Sequence, residues 1–237
     1  GELDAGSLDV SGDIDVDGTT NLDVVDIDGA VDMASTLTVA GAVDFNGNLD
    51  VDGGTIKLDG NYPVGTDNVA LGNTALDSIT SGAGNIAIGD SAATALTSGS
   101  NAIAIGRDAM SGAVFTGSDA VAVGRSTLAA LTSGSNNVAV GALALNANTT
   151  ASNNTAVGYQ SLNANTTGEL NSAVGVNALD ANTTGSRNTA LGEYALSANT
   201  TASFNTALGS SSLGLNTTGA SNTAVGHNSL QDNTTGA

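Results

Sequence analysis

Hydrophobic residues in the first quarter of this chain arrive in pairs separated by one residue: Leu8/Val10, Ile14/Val16, Leu22/Val24, Val31/Met33, Leu37/Val39, Val43/Phe45 and Leu49/Val51. From Val31 the pairs recur every six residues, and glycines keep the same beat at Gly41, Gly47 and Gly53, with Ser35 in the place of one. Alternation within each hexad predicts short strands with one apolar face, and glycine after each pair predicts a turn. Such a period predicts a β-helical shaft over residues 1–57. The segment 58–67 holds the only proline, Pro63, and reads as a linker.

From residue 68 to 237 the period changes to 17 residues. Its most regular feature is a glycine preceded by an aliphatic residue and an alanine, as in NTAVG at Asn154 and Asn222 or NTALG at Asn188 and Asn205. The anchor glycines are Gly72, Gly89, Gly106, Gly124, Gly141, Gly158, Gly175, Gly192, Gly209 and Gly226, with one step of 18 residues between Gly106 and Gly124. In-register copies of one supersecondary unit define a solenoid. Alternate residues of a strand share a face. The aliphatic residue before each anchor therefore lies with the Val, Ile, Ser or Thr two positions earlier, and the alanine lies with the glycine on the opposite face. Leucine four residues after most anchors (Leu76, Leu128, Leu145, Leu162, Leu179, Leu196, Leu213, Leu230) predicts a second short strand, followed by a turn at NANTTG or TSG. Each coil is thus expected to hold two strands and two bends. Its aliphatic residues would form the core, and its Ala/Gly face would admit a neighbouring chain.

Composition sharpens this picture. With three Tyr, three Phe and no Trp among 237 residues, the chain lacks the side chains that fill large cores. A single coil buries too little apolar surface to order itself, so stacking, and burial of one face against identical neighbours, are both expected. The net charge of −19 is uneven: residues 1–60 carry 14 acidic residues against Lys57 (net −13), and residues 61–237 carry 9 against Arg107, Arg125 and Arg187 (net −6). Such a surface repels phosphate, which argues against nucleic acid and against an anionic membrane as partners. There is no cysteine for a disulfide framework or a thiolate metal site. No apolar run reaches the length of a membrane-spanning helix, and no signal-peptide pattern is visible. Beginning at Gly1 and ending within a repeat-like NTTGA, the chain reads as a piece of a longer protein.

Candidate chemistry is sparse. DIDVDG at residues 13–18 matches the front of a calcium loop, with Asp13, Asp15 and Asp17 as candidate metal ligands and Gly18 for the turn. The acidic ligand expected at the twelfth loop position is missing, since Val24 stands there. The alternation equally describes the solvent face of a strand, which the sequence favours; weakly bound Ca2+ could still offset repulsion between stacked acidic strands. Six NTT triplets, at Asn148, Asn165, Asn182, Asn199, Asn216 and Asn233, match the N-glycosylation pattern. Turn chemistry explains them better, because Asn tolerates left-handed backbone and Asn and Thr bond locally, and stacked Asn could form side-chain ladders. His227 is the only histidine, so one chain holds no histidine cluster, and a variable surface position is the simpler account. Tyr159 and Tyr194 could contact a ligand or stack on neighbouring coils, and packing is favoured. The serines have no base partner and the Gly-rich stretches no phosphate-binding Lys, so no catalytic or cofactor-binding residue is assigned and the chain reads as no enzyme.

NAIAIG (101–106), DAVAVG (119–124) and NNVAVG (136–141) resemble the head repeats of YadA-type trimeric autotransporter adhesins, which are left-handed parallel β-rolls that assemble as trimers. The adhesin repeat is shorter than the 17 residues found here, so the bends would be longer. Later repeats such as NTAVGYQSLNANTTG (154–168), and the N-terminal LDVSGDIDVDG hexads, resemble bacteriophage tail-fibre proteins. The resemblance implies an all-β homotrimer: a hexad shaft followed by a ten-coil parallel β-roll. It implies a virion structural segment, extracellular, linking the particle to a host receptor-binding tip. Its partners would be its own copies, other virion tail proteins and, through adjoining segments, a host surface receptor, with no membrane insertion here. The alternative is the adhesive head of a bacterial autotransporter at the cell surface. An ice-binding solenoid fits less well, since adjacent Thr residues point to opposite faces of a strand. A polysaccharide-degrading tail spike would need paired carboxylates in a cleft, and no such pair stands out.

Overall fold

The computed structural model describes residues 66–112 and 114–236. The predicted shaft at 1–57, and the linker at 58–67 apart from Thr66 and Asp67, lie outside the described residues. Among the described residues, ten three-residue strands form one parallel sheet in chain order: β1 (Val69–Leu71), β2 (Ile86–Ile88), β3 (Ile103–Ile105), β4 (Val121–Val123), β5 (Val138–Val140), β6 (Thr155–Val157), β7 (Ser172–Val174), β8 (Thr189–Leu191), β9 (Thr206–Leu208) and β10 (Thr223–Val225). The fold is the all-β parallel solenoid that the 17-residue period predicts. Alanine stacks on alanine throughout: Ala70 pairs with Ala87, Ala87 with Ala104, and finally Ala207 with Ala224. The 18-residue step leaves the register intact, with Ile103 opposite Val121. The added length is taken up away from the sheet. There Val114 projects into solvent and Phe115, bridged to Leu96, turns into the core.

Two expectations are corrected. The second strand does not form. Leu76, Leu128, Leu145, Leu162, Leu179, Leu196, Leu213 and Leu230 have φ between 48° and 54°, in the left-handed region. That conformation costs a bulky residue on the order of 1 kcal/mol. It also turns the side chain to the centre of the coil, and all of these leucines except Leu230 are fully buried. Regular leucine reported burial here, and not strand.

The faces of the strand are also the reverse of the expected arrangement. The strand alanines Ala87, Ala104, Ala122, Ala139, Ala156, Ala173, Ala190 and Ala207 line the core, while the residues on either side, the aliphatic ones included, point outward. A three-residue strand has only one middle side chain to turn inward. The buried leucine, together with a second small residue such as Ala75, Ala144 or Ala178, already occupies the narrow interior. Only a methyl group remains to be accommodated there.

The anchor glycines close each coil against the next. Their φ lies between 117° and 139°. A Cβ on Gly158 would stand 2.4 Å from the carbonyl oxygen of Gly175, so both backbone sign and coil spacing require glycine.

Candidate interaction surface

Two columns of asparagine brace the sheet. The first precedes the strands: Asn68, Asn85, Asn137, Asn154, Asn171, Asn188 and Asn205, all buried, and the partly buried Asn222. Each rung works in two directions. The Oδ1 of Asn154 accepts the Asn171 backbone N–H at 3.0 Å, and the Nδ2 of Asn171 donates to the Gly185 carbonyl at 2.8 Å. A buried amide needs both ends satisfied, and stacked copies supply the partners at a fixed height.

The second column is the Asn of the NTT triplets. The Nδ2 of Asn182 donates to the Oδ1 of Asn165 at 2.9 Å and to the Gly185 carbonyl at 3.0 Å, and Asn199 donates in turn to Asn182 at 2.8 Å. The following Thr adds a third line of bonds, Thr166 Oγ1 donating to the Thr183 carbonyl at 3.0 Å. Asn148, Asn165, Asn182, Asn199 and Asn216 are fully buried. The triplets therefore serve as turns with side-chain ladders, and a glycan could not be attached to these five in the folded coil. In earlier coils Ile79, Leu96 and Leu131 occupy the corresponding corner.

This bracing supports the outward face of the sheet, the surface most unlike ordinary solvent-facing structure. Its rear column, the residue before each anchor, is aliphatic at all ten levels from Leu71 to Val225. Six of these side chains are exposed, from 36% at Ile105 to 69% at Val225. Its front column is Val or Ile in β1–β5 and Thr or Ser in β6–β10. The face is thus apolar across both columns in its first half and across one in its second, over about 43 Å at the usual strand spacing. No charged residue stands in either column. Charges lie on the two rims. The leading rim, two residues before each strand, carries Asp67, Asp119 and Arg187; the trailing rim, just after each anchor, carries Asp90, Arg107, Arg125 and Glu193.

The other singled-out residues fall as follows. Asp13, Asp15 and Asp17 lie outside the described residues. Among the described residues no group of three or more His, Cys, Asp or Glu side chains is placed to hold a metal ion. His227 is an exposed trailing-rim residue. Tyr159 and Tyr194 do not pack away as expected: they remain 47% and 44% exposed. One residue the sequence did not single out is Asp180. In its column Asn146 donates to the Ser126 carbonyl at 2.8 Å and Asn163 to the Leu143 carbonyl at 3.0 Å. An ionised carboxylate has no hydrogen to offer there, and the Oδ1 of Asp180 is buried without a partner. Burial raises its pKa above the ordinary 3.8, against a smaller opposing pull from the backbone N–H groups of Asp180 and Ala181.

No family model matches the chain, and no curated protein and no solved structure matches it. The class is defined by the fold itself: a parallel β-solenoid, a repetitive architecture typical of structural proteins and compatible with a fibre or an adhesin.

Proposed function

We propose that this chain is a self-associating structural segment of an extracellular fibre, a homotrimer, and specifically part of a bacteriophage tail fibre that joins the virion to a receptor-binding tip. The observation that carries the reading is the outward face of the sheet, whose rear column is aliphatic without interruption from Leu71 to Val225, flanked by charged rims. An exposed apolar surface of this regularity marks an interaction site, and copies of the chain share its repeat spacing. The interior of the described coils is filled by Ala, Leu and Asn, which suits a structural role. The resemblance of NTAVGYQSLNANTTG and of the N-terminal hexads to tail-fibre sequences supports the phage assignment. Other tail proteins and a host receptor, reached through adjoining segments, would be the further partners.

A second reading, the head of a bacterial trimeric autotransporter adhesin, is favoured by NAIAIG, DAVAVG and NNVAVG around β3–β5 and by the exposed rings of Tyr159, Tyr194 and Phe204. Sedimentation equilibrium of the chain is expected to give a trimer, and a monomer would refute self-association. Immunogold labelling with an antibody to the chain is expected to mark tail fibres on particles. Label on the surface of uninfected cells would replace the phage reading with the adhesin.

A further inference from the structure

We infer that the two rims of the sheet face encode the orientation and register of self-association: copies pack with solenoid axes parallel and coils level, through pairs between the leading rim of one copy and the trailing rim of the next. The inference rests on the self-association proposed above. Its occupant is a second copy of this chain.

Geometry sets the choice. Copies packed face to face with parallel axes bring a leading rim to a neighbour's trailing rim at equal height, whatever number closes the ring. Antiparallel copies instead set leading against leading and trailing against trailing. In the parallel, level arrangement the coil of β4 offers Asp119 to Arg125, the coil of β8 offers Arg187 to Glu193, and the coil of β7 between them offers Leu170 to Val176. The order of charge is reversed between β4 and β8, so the two ion pairs are not one repeated motif. All six side chains are exposed; Asp119 accepts a bond from Asn101 at 3.1 Å, and the Arg187 guanidinium sits 5.5 Å from the centre of the Phe204 ring. Both contacts hold the charge on its own rim. Within the chain, among the described residues, the only ion pair is Arg107 with Asp108, so these four charges are free to engage a neighbour.

Alternatives fit less well. Sliding the leading rim one coil upward sets Asp67 against Asp90, Leu170 against Glu193 and Arg187 against Ser210. Sliding it one coil downward keeps an ion pair, Asp119 with Arg107, but places Arg187 against Val176. Centred antiparallel packing also keeps one ion pair, Arg107 with Glu193, but places Asp119 against Leu170 and Arg125 against Val176. It also lays the fully apolar half of the face on the Thr-bearing half. Like-charge and charge-on-apolar contacts at a rim select against wrong partners more strongly than right pairs add affinity.

The absence of cysteine makes the test direct. In the full 237-residue chain, Leu170→Cys with Val176→Cys reports level parallel packing. Leu170→Cys with Ser210→Cys reports a two-coil slip, about 10 Å and beyond disulfide reach when the coils are level. Asp119→Cys with Leu170→Cys reports centred antiparallel packing. Oxidation is expected to link only the first variant into covalent multimers of the size seen by sedimentation. Glu193→Arg is expected to weaken association by about tenfold, and Arg187→Glu added to it to restore wild-type association, with circular dichroism unchanged. A chain that still oligomerises but fails to link through 170 and 176, or links through either control, overturns the register and orientation while self-association stands. A monomer overturns both.

Discussion

Gly158 and Gly168 lie in the same coil and look alike in the sequence, yet only one is expected to be indispensable. Gly158 combines a φ of 136° with a Cβ position 2.4 Å from the Gly175 carbonyl oxygen. Gly158→Ala is expected to cost about 3 kcal/mol, by chemical denaturation, because strain and overlap add. A Cβ on Gly168 would also approach backbone, 2.2 Å from the Gly185 carbonyl oxygen, but its φ lies outside the left-handed region and other coils carry Ala151 and Ala202 at this position, so the coil can shift there to admit a methyl group. Gly168→Ala is expected to cost about 1 kcal/mol or less. Asp180 calls for the opposite sign. Its pKa is raised in the folded chain, so below the ordinary carboxyl value of 3.8 the group is protonated in both states and carries no penalty. As pH rises the unfolded carboxyl ionises first, and the folded state loses stability until its own group has ionised. Asp180→Asn should therefore raise the melting temperature at neutral pH, and the gain should vanish by about pH 3.

At the scale of the element, the ladders explain why the coils persist with so little apolar core. Each Asn of the NTT column from Asn165 to Asn216 is both donor to the rung behind and acceptor from the rung ahead. Asn182→Leu removes a donor from Asn165 and Gly185 and an acceptor from Asn199. A loss of about 2–3 kcal/mol is expected in equilibrium unfolding. Replacing the whole column by leucine, as Leu131 already has it, should cost much less than the sum of single changes, because no amide is then left unpaired. Local turn bonding and stacked ladders were legible in the sequence for these residues. The missing second strand was not, since an apolar residue in a left-handed turn and one in a strand present the same periodic leucine.

For the whole molecule, the decisive feature is which side of a three-residue strand faces out. Ile105→Asp is expected to leave the circular dichroism unchanged and to abolish assembly in sedimentation, because its side chain lies on the outward face. Ala104→Leu, one residue away, is expected to destabilise the coil by about 3 kcal/mol, since Ala104 is fully buried in a packed interior. The reverse result would restore the arrangement with the aliphatic residues inside.

The repeat length, the stacking in one register, the strand at each AVG and the turn chemistry of Asn148 to Asn233 follow from the sequence alone, because a solenoid asks the same of every coil and that demand is written as period. Which face is buried does not follow. Alternation separates Ala from its aliphatic neighbours without saying which set faces the core. That depended on how much room the left-handed leucine turn leaves inside the coil. The rim pairs depended on it too: Asp119 and Arg125, or Arg187 and Glu193, become two edges of one surface only when the residues between them are known to point outward.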